Sequence, residues 1–138
     1  IVKKILDDEK KMNLDNLQSC INFKKNCEIS KNNLKGKIEN LKSKGKRICG
    51  YAATSKSTTV LNYCKIGTEF IEFICDTTKE KIGKYSPGMH IPIVSMNHFY
   101  EQKPDVAFLF AWNHKEEIFN KEKNFTENKG EWISHVKL

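Results

Sequence analysis

The stretch Gly50-Tyr51-Ala52-Ala53-Thr54-Ser55-Lys56-Ser57-Thr58-Thr59-Val60-Leu61-Asn62-Tyr63-Cys64 decides the fold. It follows a short apolar segment, Arg47-Ile48-Cys49, introduced by Gly45. It then passes into a run of helical spacing through Val60, Leu61 and Cys64. A buried strand, a tight turn of small residues and a helix start are the parts of an anion site. Free backbone N–H groups and the positive end of the helix dipole converge at such a turn. Lys56 and four hydroxyls lie within a few residues of it. The glycine fingerprint of dinucleotide-binding turns is incomplete, because Ala52 and Ser57 stand where glycines belong; this disfavours half of a dehydrogenase. A first strand and helix that bind nothing would carry the same spacing.

Working outward, the apolar pattern alternates between short strand-like and longer helical segments. Residues 2–12 place Val2, Ile5, Leu6 and Met12 at helical intervals. Asn13 is the expected N-cap of a second helix from Leu14 to Lys44, which has no proline. At 1.5 Å per residue such a helix runs about 46 Å, roughly twice what one face of a small sheet needs. Its N-terminal half is therefore expected to reach beyond the domain. Strands are expected at 46–51, 69–76, 91–93, 106–111 and 131–138, with Pro92 marking an edge. Helices are expected at 55–65, 96–101 and 114–128. Two units result: a helical lead-in, residues 1–44, which packs towards an upstream domain, and an α/β domain, residues 45–138.

Alternating strands and helices imply a mostly parallel five-stranded sheet in a three-layer, doubly wound, Rossmann-like domain. Right-handed crossovers in the order 3-2-1-4-5 set the first and fourth strands side by side. The loop Tyr51 to Lys56 then meets Trp112-Asn113-His114 at the crevice where such sheets bind ligands. Asp76 ends the neighbouring strand, where it could hold a ribose hydroxyl or cap a turn. Lys56 is the candidate cation for a diphosphate. Thr54 and Ser55 either donate to phosphate or cap the helix. Asn113 could read a sugar or a base. Trp112 fits core as well as crevice, and His90 fits a ligand contact or a turn. His98, His114 and His135 have no partner at an interpretable spacing.

Composition narrows the function classes. The chain has 138 residues and a formal charge of +7, but 23 of its 24 basic residues are Lys and 13 Asn accompany them. Phosphate and guanine recognition favour Arg, so a solvated basic surface is expected and no nucleic-acid partner. The longest apolar run, Ala107 to Trp112, is too short to span a bilayer. Five cysteines without a Cys-x-x-Cys pair suit a reducing cytoplasm and no metal site in this chain. The start, Ile1-Val2-Lys3-Lys4, reads as an internal cut.

Four segments in order resemble one family. Gly50-Tyr51, Ala53, Lys56 and Leu61-Asn62-Tyr63-Cys64 come first. Asp76 with Lys81-Ile82-Gly83-Lys84-Tyr85 follows, then Pro87-Gly88-Met89-His90-Ile91-Pro92-Ile93, then Pro104-Asp105 through Ala111-Trp112-Asn113. They resemble the C-terminal domain of bacterial sugar C-methyltransferases, including the 3-C-methyltransferases of mycarose-type deoxysugar biosynthesis. The resemblance implies a small zinc-binding N-terminal domain and a central domain that binds S-adenosylmethionine, both upstream of this chain. It implies a C-terminal Rossmann-like domain that helps hold a nucleotide-linked keto-deoxysugar. The base that deprotonates the carbon next to the keto group would lie in the central domain, so this fragment alone is expected to be inactive and to carry no catalytic residue. The substrate contacts implied here are Tyr51, Ala53, Thr54, Ser55, Lys56, Asn62, Asp76, His90, Trp112 and Asn113. Ala52 and Ser57-Thr58 depart from the family's Gly and Gly-Asn and add side chains near the turn. A binding or scaffold module without catalysis is the other reading of the same residues.

Overall fold

The computed structural model describes residues 1–138. Two helices lead in, α1 (Val2–Lys11) and α2 (Leu17–Ser43). There follow β1 (Ile48–Tyr51), α3 (Ser55–Cys64), β2 (Ile74–Cys75), β3 (Ile93–Val94), α4 (Met96–Gln102) and β4 (Val106–Leu109). A 3-10 turn, Trp112–His114, leads to α5 (Lys115–Lys121), α6 (Lys123–Glu127) and β5 (Glu131–Ile133). The strand order is β3-β2-β1-β4-β5 and every pairing is parallel. This is the doubly wound order expected from the alternation. β1 and β4 are neighbours at its centre, in register from Ile48 opposite Val106 to Tyr51 opposite Leu109.

Period-two alternation builds two cores, one on each face of the sheet. Ile48, Val106, Phe108 and Phe110 pack with Leu34, Ile38 and Leu41 of α2 and Leu61 and Cys64 of α3. Cys49, Tyr51, Ala107 and Leu109 pack with Phe99 of α4 and, at the margin, with Ile118, Phe119 and Phe125 of α5 and α6. The domain core thus takes in the second half of α2. Gly50 faces the first core, where a Cβ would come within 2.8 Å of the Phe110 ring and 2.9 Å of Ile74. Only glycine leaves room there for those two side chains.

Several boundaries differ from the sequence reading, each for a local reason. The second strand shrinks to Ile74–Cys75 because residues 67–71 close a turn, with Phe70 and Ile71 N–H groups both donating to Gly67 O. Phe70 and Ile71 still pack on the first core. α2 starts after Asn16, whose side chain accepts from Ser19 N at 2.9 Å; Asn13 instead turns the chain in a left-handed conformation, φ 55°. The expected helix 114–128 breaks at Glu122, which turns its carboxylate into the second core. The last strand stops at Ile133 rather than Leu138. β3 is the sheet edge that Pro92 suggested, and residues 83–86 cover it: Gly83 N donates to Ile93 O, and Ile93 N to Lys84 O. No helix is long and apolar enough to cross a membrane.

Candidate functional site

The carboxyl ends of β1 and β4 carry the two loops that the crossover order brings together. Lys56, in the first turn of α3, donates through Nζ to Asn113 Oδ1 at 2.9 Å and lies 5.5 Å from the centre of the Trp112 ring. Cation and indole face attract one another. An open depression of about 550 Å³ runs along Trp112, Asn113 and His114 towards Lys137. Trp112 is half-buried and its Nε1 has no hydrogen-bond partner.

The turn that precedes Lys56 is held rigidly from within. Ala52 adopts φ 72°, a conformation in which glycine would be unstrained, and donates to Cys75 O. Ala53 is gripped at both backbone groups: its N–H donates to Asp76 Oδ2 at 2.7 Å, and its carbonyl accepts from Lys81 Nζ at 2.7 Å. Asp76, 7% exposed, also accepts from Thr78 N at 2.8 Å and Lys81 Nζ at 3.3 Å. Burial pushes its carboxyl up, but the hydrogen bonds from Thr78 and Ala53, with the Lys81 charge, outweigh that and hold it below the ordinary value. Thr54 and Ser57 form a reciprocal capping box. Thr54 Oγ1 accepts from Ser57 N at 3.1 Å, and Ser57 Oγ accepts from Thr54 N at 3.0 Å.

This accounting revises the picture of an open amide cradle. The N–H groups of Ala52, Ala53, Thr54 and Ser57 are all paired within the chain. Those of Ser55 and Lys56, at the first two helical positions of α3, have no partner within the chain. The site therefore rests on one lysine, two amides and the Asn113 side chain.

Other candidates hold different places. Tyr51 is buried, 5% exposed, and its hydroxyl donates to Glu122 Oε1 at 2.7 Å inside the second core. The acceptor is itself 3% exposed and also receives the Tyr100 hydroxyl at 3.0 Å. Burial, then the hydrogen bond to Glu122, pushes the Tyr51 phenol far up and Tyr100 up to about 12. Asn62 donates to Thr58 O and to Pro87 O at 2.9 Å, pinning the Pro87-Gly88 turn to α3. A Cβ on Gly88, at φ 81°, would collide with that amide. His90 follows the same turn, exposed and with φ 52°. So the two most recognisable motif residues of α3 and its following loop are tied to one another rather than to the crevice. Ser55 is exposed, and its carbonyl accepts from Thr59 Oγ1.

Lys81, quoted only as part of a motif, and His135 were given no site role from the sequence. The place of Lys81 in the motif with Asp76 was the available signal, and its contact with a carbonyl 28 residues away reveals its role. His135 lies beyond the last strand with no short-range pattern, yet Ser134 Oγ donates to Leu109 O at 3.2 Å and ties this segment to the end of β4, with His135 facing a groove beside α2. Burial lowers the His135 pKa, and the Lys56 charge lowers it further. Burial pushes the Cys75 thiol up to about 12 and Cys49 well up, which keeps both inert. No group of three His, Cys, Asp or Glu side chains is placed to hold a metal ion.

A parallel, doubly wound sheet with a lysine and an amide bridging its switch point defines a Rossmann-like domain. Over residues 1–136 the chain matches the family described as the C-methyltransferase C-terminal domain, and it belongs to that family. It is 43% identical over 89 residues to C-methyltransferase NovU of Streptomyces niveus, a match that covers 64% of this chain and 21% of that protein. The match therefore spans only about a fifth of that relative's length.

Proposed function

We propose that this chain is the nucleotide-sugar-binding domain of an S-adenosylmethionine-dependent sugar C-methyltransferase, acting on a carbon beside a keto group of a nucleotide-linked deoxysugar in the cytoplasm. The observation that carries the reading is the Lys56–Asn113 contact across the switch-point crevice, in a chain of this family. A lysine held by a neutral amide is a cation without a counter-charge, ready to exchange that amide for a diphosphate oxygen. The amides of Ser55 and Lys56 would add two donors and the end of the helix dipole.

The first βα turn does not suit S-adenosylmethionine. Asp76 already accepts from Ala53, Thr78 and Lys81 and is bound into the turn, which argues against its serving as the acid that grips ribose hydroxyls. The methyl donor, and any zinc, are assigned to the upstream part of the same polypeptide; when bound, S-adenosylmethionine supplies the methyl group. This domain's own task is to orient the sugar by its diphosphate. An isolated chain that bound S-adenosylmethionine with micromolar affinity in calorimetry would contradict this division of labour.

The test is steady-state kinetics of the intact enzyme with its nucleotide sugar. Lys56→Ala should raise KM roughly ten- to a hundredfold with little change in kcat, because a charge-assisted contact is worth about 1.5–3 kcal/mol. Asn113→Ala should act in the same direction and more weakly. An unaltered KM for Lys56→Ala would leave the turn as a structural connection only.

A further inference from the structure

On the face of the sheet covered by α2 and α3, a groove of about 370 Å³ opens between α2 and the segment that follows β5. Ile29 and Leu34 are its only apolar lining. The rest is Asn26, Ser30 and Asn33 from α2, Ser134 and His135 from the other wall, and Lys37. The one charge, Lys37, is matched by Glu131 at 3.2 Å. The groove is thus lined by neutral donors and acceptors on an otherwise basic protein, and none of the three α2 side chains makes a hydrogen bond within the chain. His135 lines this groove and feels the Lys56 charge. Its ring lies 6.4 Å from Phe108, and its Nδ1 is buried without a partner. A buried unpaired lone pair is more tolerable than a buried unpaired N–H, so the ring proton belongs on Nε2, leaving that nitrogen as a donor for something in the groove. Burial keeps the ring neutral, helped by the Lys56 charge.

We propose that this groove is the subsite for the polyhydroxylated sugar ring, with His135, Asn33 and Asn26 meeting its hydroxyls while Lys56 holds the diphosphate. The proposal deepens the nucleotide-sugar reading above and rests on it. Amide and imidazole side chains supply both donors and acceptors, which hydroxyl groups match and phosphates do not. A charged ligand would instead favour the Lys56 side.

Titration of the 138-residue chain by amide NMR separates the two ideas. The probes are uridine diphosphate glucose and thymidine diphosphate glucose, each beside its bare nucleoside diphosphate. For at least one base, the sugar-bearing ligand should bind about fivefold or more tighter than the diphosphate, an advantage expected of one or more neutral hydrogen bonds. It alone should shift the amides of Ser30, Asn33 and Ser134. His135→Leu and Asn33→Ala should each erase most of that advantage, with His135→Gln restoring part of it and bare diphosphate affinity unchanged. Asn33 is exposed on a helix, so its variant reports even if His135→Leu unfolds. Lys56→Ala should weaken both ligands alike. Equal binding of both ligands, with shifts at Lys56 and Asn113 and none in the groove, overturns the sugar subsite and leaves the diphosphate reading standing. If no ligand moves any of these amides, both fall.

Discussion

Asp76 shows how one side chain can set the shape of a whole loop. Its two oxygens hold the N–H groups of Ala53 and Thr78, and Lys81 closes the clasp on the Ala53 carbonyl. Replacing it with Ala would strand a backbone donor beside a turn that already carries Ala52 at positive φ. Asp76→Ala should cost about 3 kcal/mol in urea unfolding, in the range for hydrogen bonds to a charged group plus the loss of its partners. A cost well under 1 kcal/mol would mean that the carboxylate is free for a ligand, and the ribose reading of this acid would return. The pH dependence has a definite sign. A carboxyl held below its ordinary value contributes stability that is complete above the ordinary carboxylate range and disappears as pH falls through its native value. His135, lowered in the folded state, adds a loss that begins as pH drops below its unfolded value near 6.5. Wild-type unfolding should therefore lose stability in two stages on acidification. Asp76→Asn should reduce the lower one, to which Asp105 also contributes, and His135→Gln should remove the upper.

At the scale of elements, α2 is two helices in function. Leu34, Ile38 and Leu41 are buried against the sheet. At 100° per residue, Cys20, Phe23 and Cys27 continue the same stripe beyond it, and Phe23 is 72% exposed. One side-chain hydrogen bond ties the domain to the overhang, the Tyr63 hydroxyl donating to Glu28 at 2.7 Å. The N-terminal turns thus depend on local terms, the Asn16 cap above all. Asn16→Ala should cost about 1 kcal/mol of local helix stability. Hydrogen exchange should quicken over residues 17–27 while the global unfolding midpoint stays put. A shift of that midpoint would mean that the overhang is coupled to the core. Glu122 does the opposite for α5 and α6, breaking one amphipathic run so that a buried carboxylate can receive two tyrosine hydroxyls.

Across the whole molecule, the sheet order decides which loops meet, and both cores lie C-terminal to Asn33. No residue of α1 is buried. Deleting residues 1–15 should therefore leave cooperative unfolding with an unchanged midpoint in calorimetry; a lowered midpoint would show that α1 supports the domain. The crevice, by contrast, draws on β1, α3, β4 and the segment after β5, so no truncation from the C-terminal end should spare it.

The sequence by itself determined the architecture. Short apolar strands between helical runs, punctuated by glycine and proline, leave few topologies once crossovers must be right-handed, and the adjacency of β1 and β4 follows. It also placed Lys56 and Asn113 at the ends of those strands. What only the tertiary structure decided is the destination of each polar group. Ala53 N–H reads as a free donor until Asp76, 23 residues on, takes it. Tyr51 reads as a crevice residue until Glu122, 71 residues on, accepts its hydroxyl. Asn62 reads as a ligand contact until Pro87 occupies it. Periodicity is a local property carried by neighbours in the chain, whereas hydrogen-bond pairing across such separations exists only once the chain has closed around its two cores.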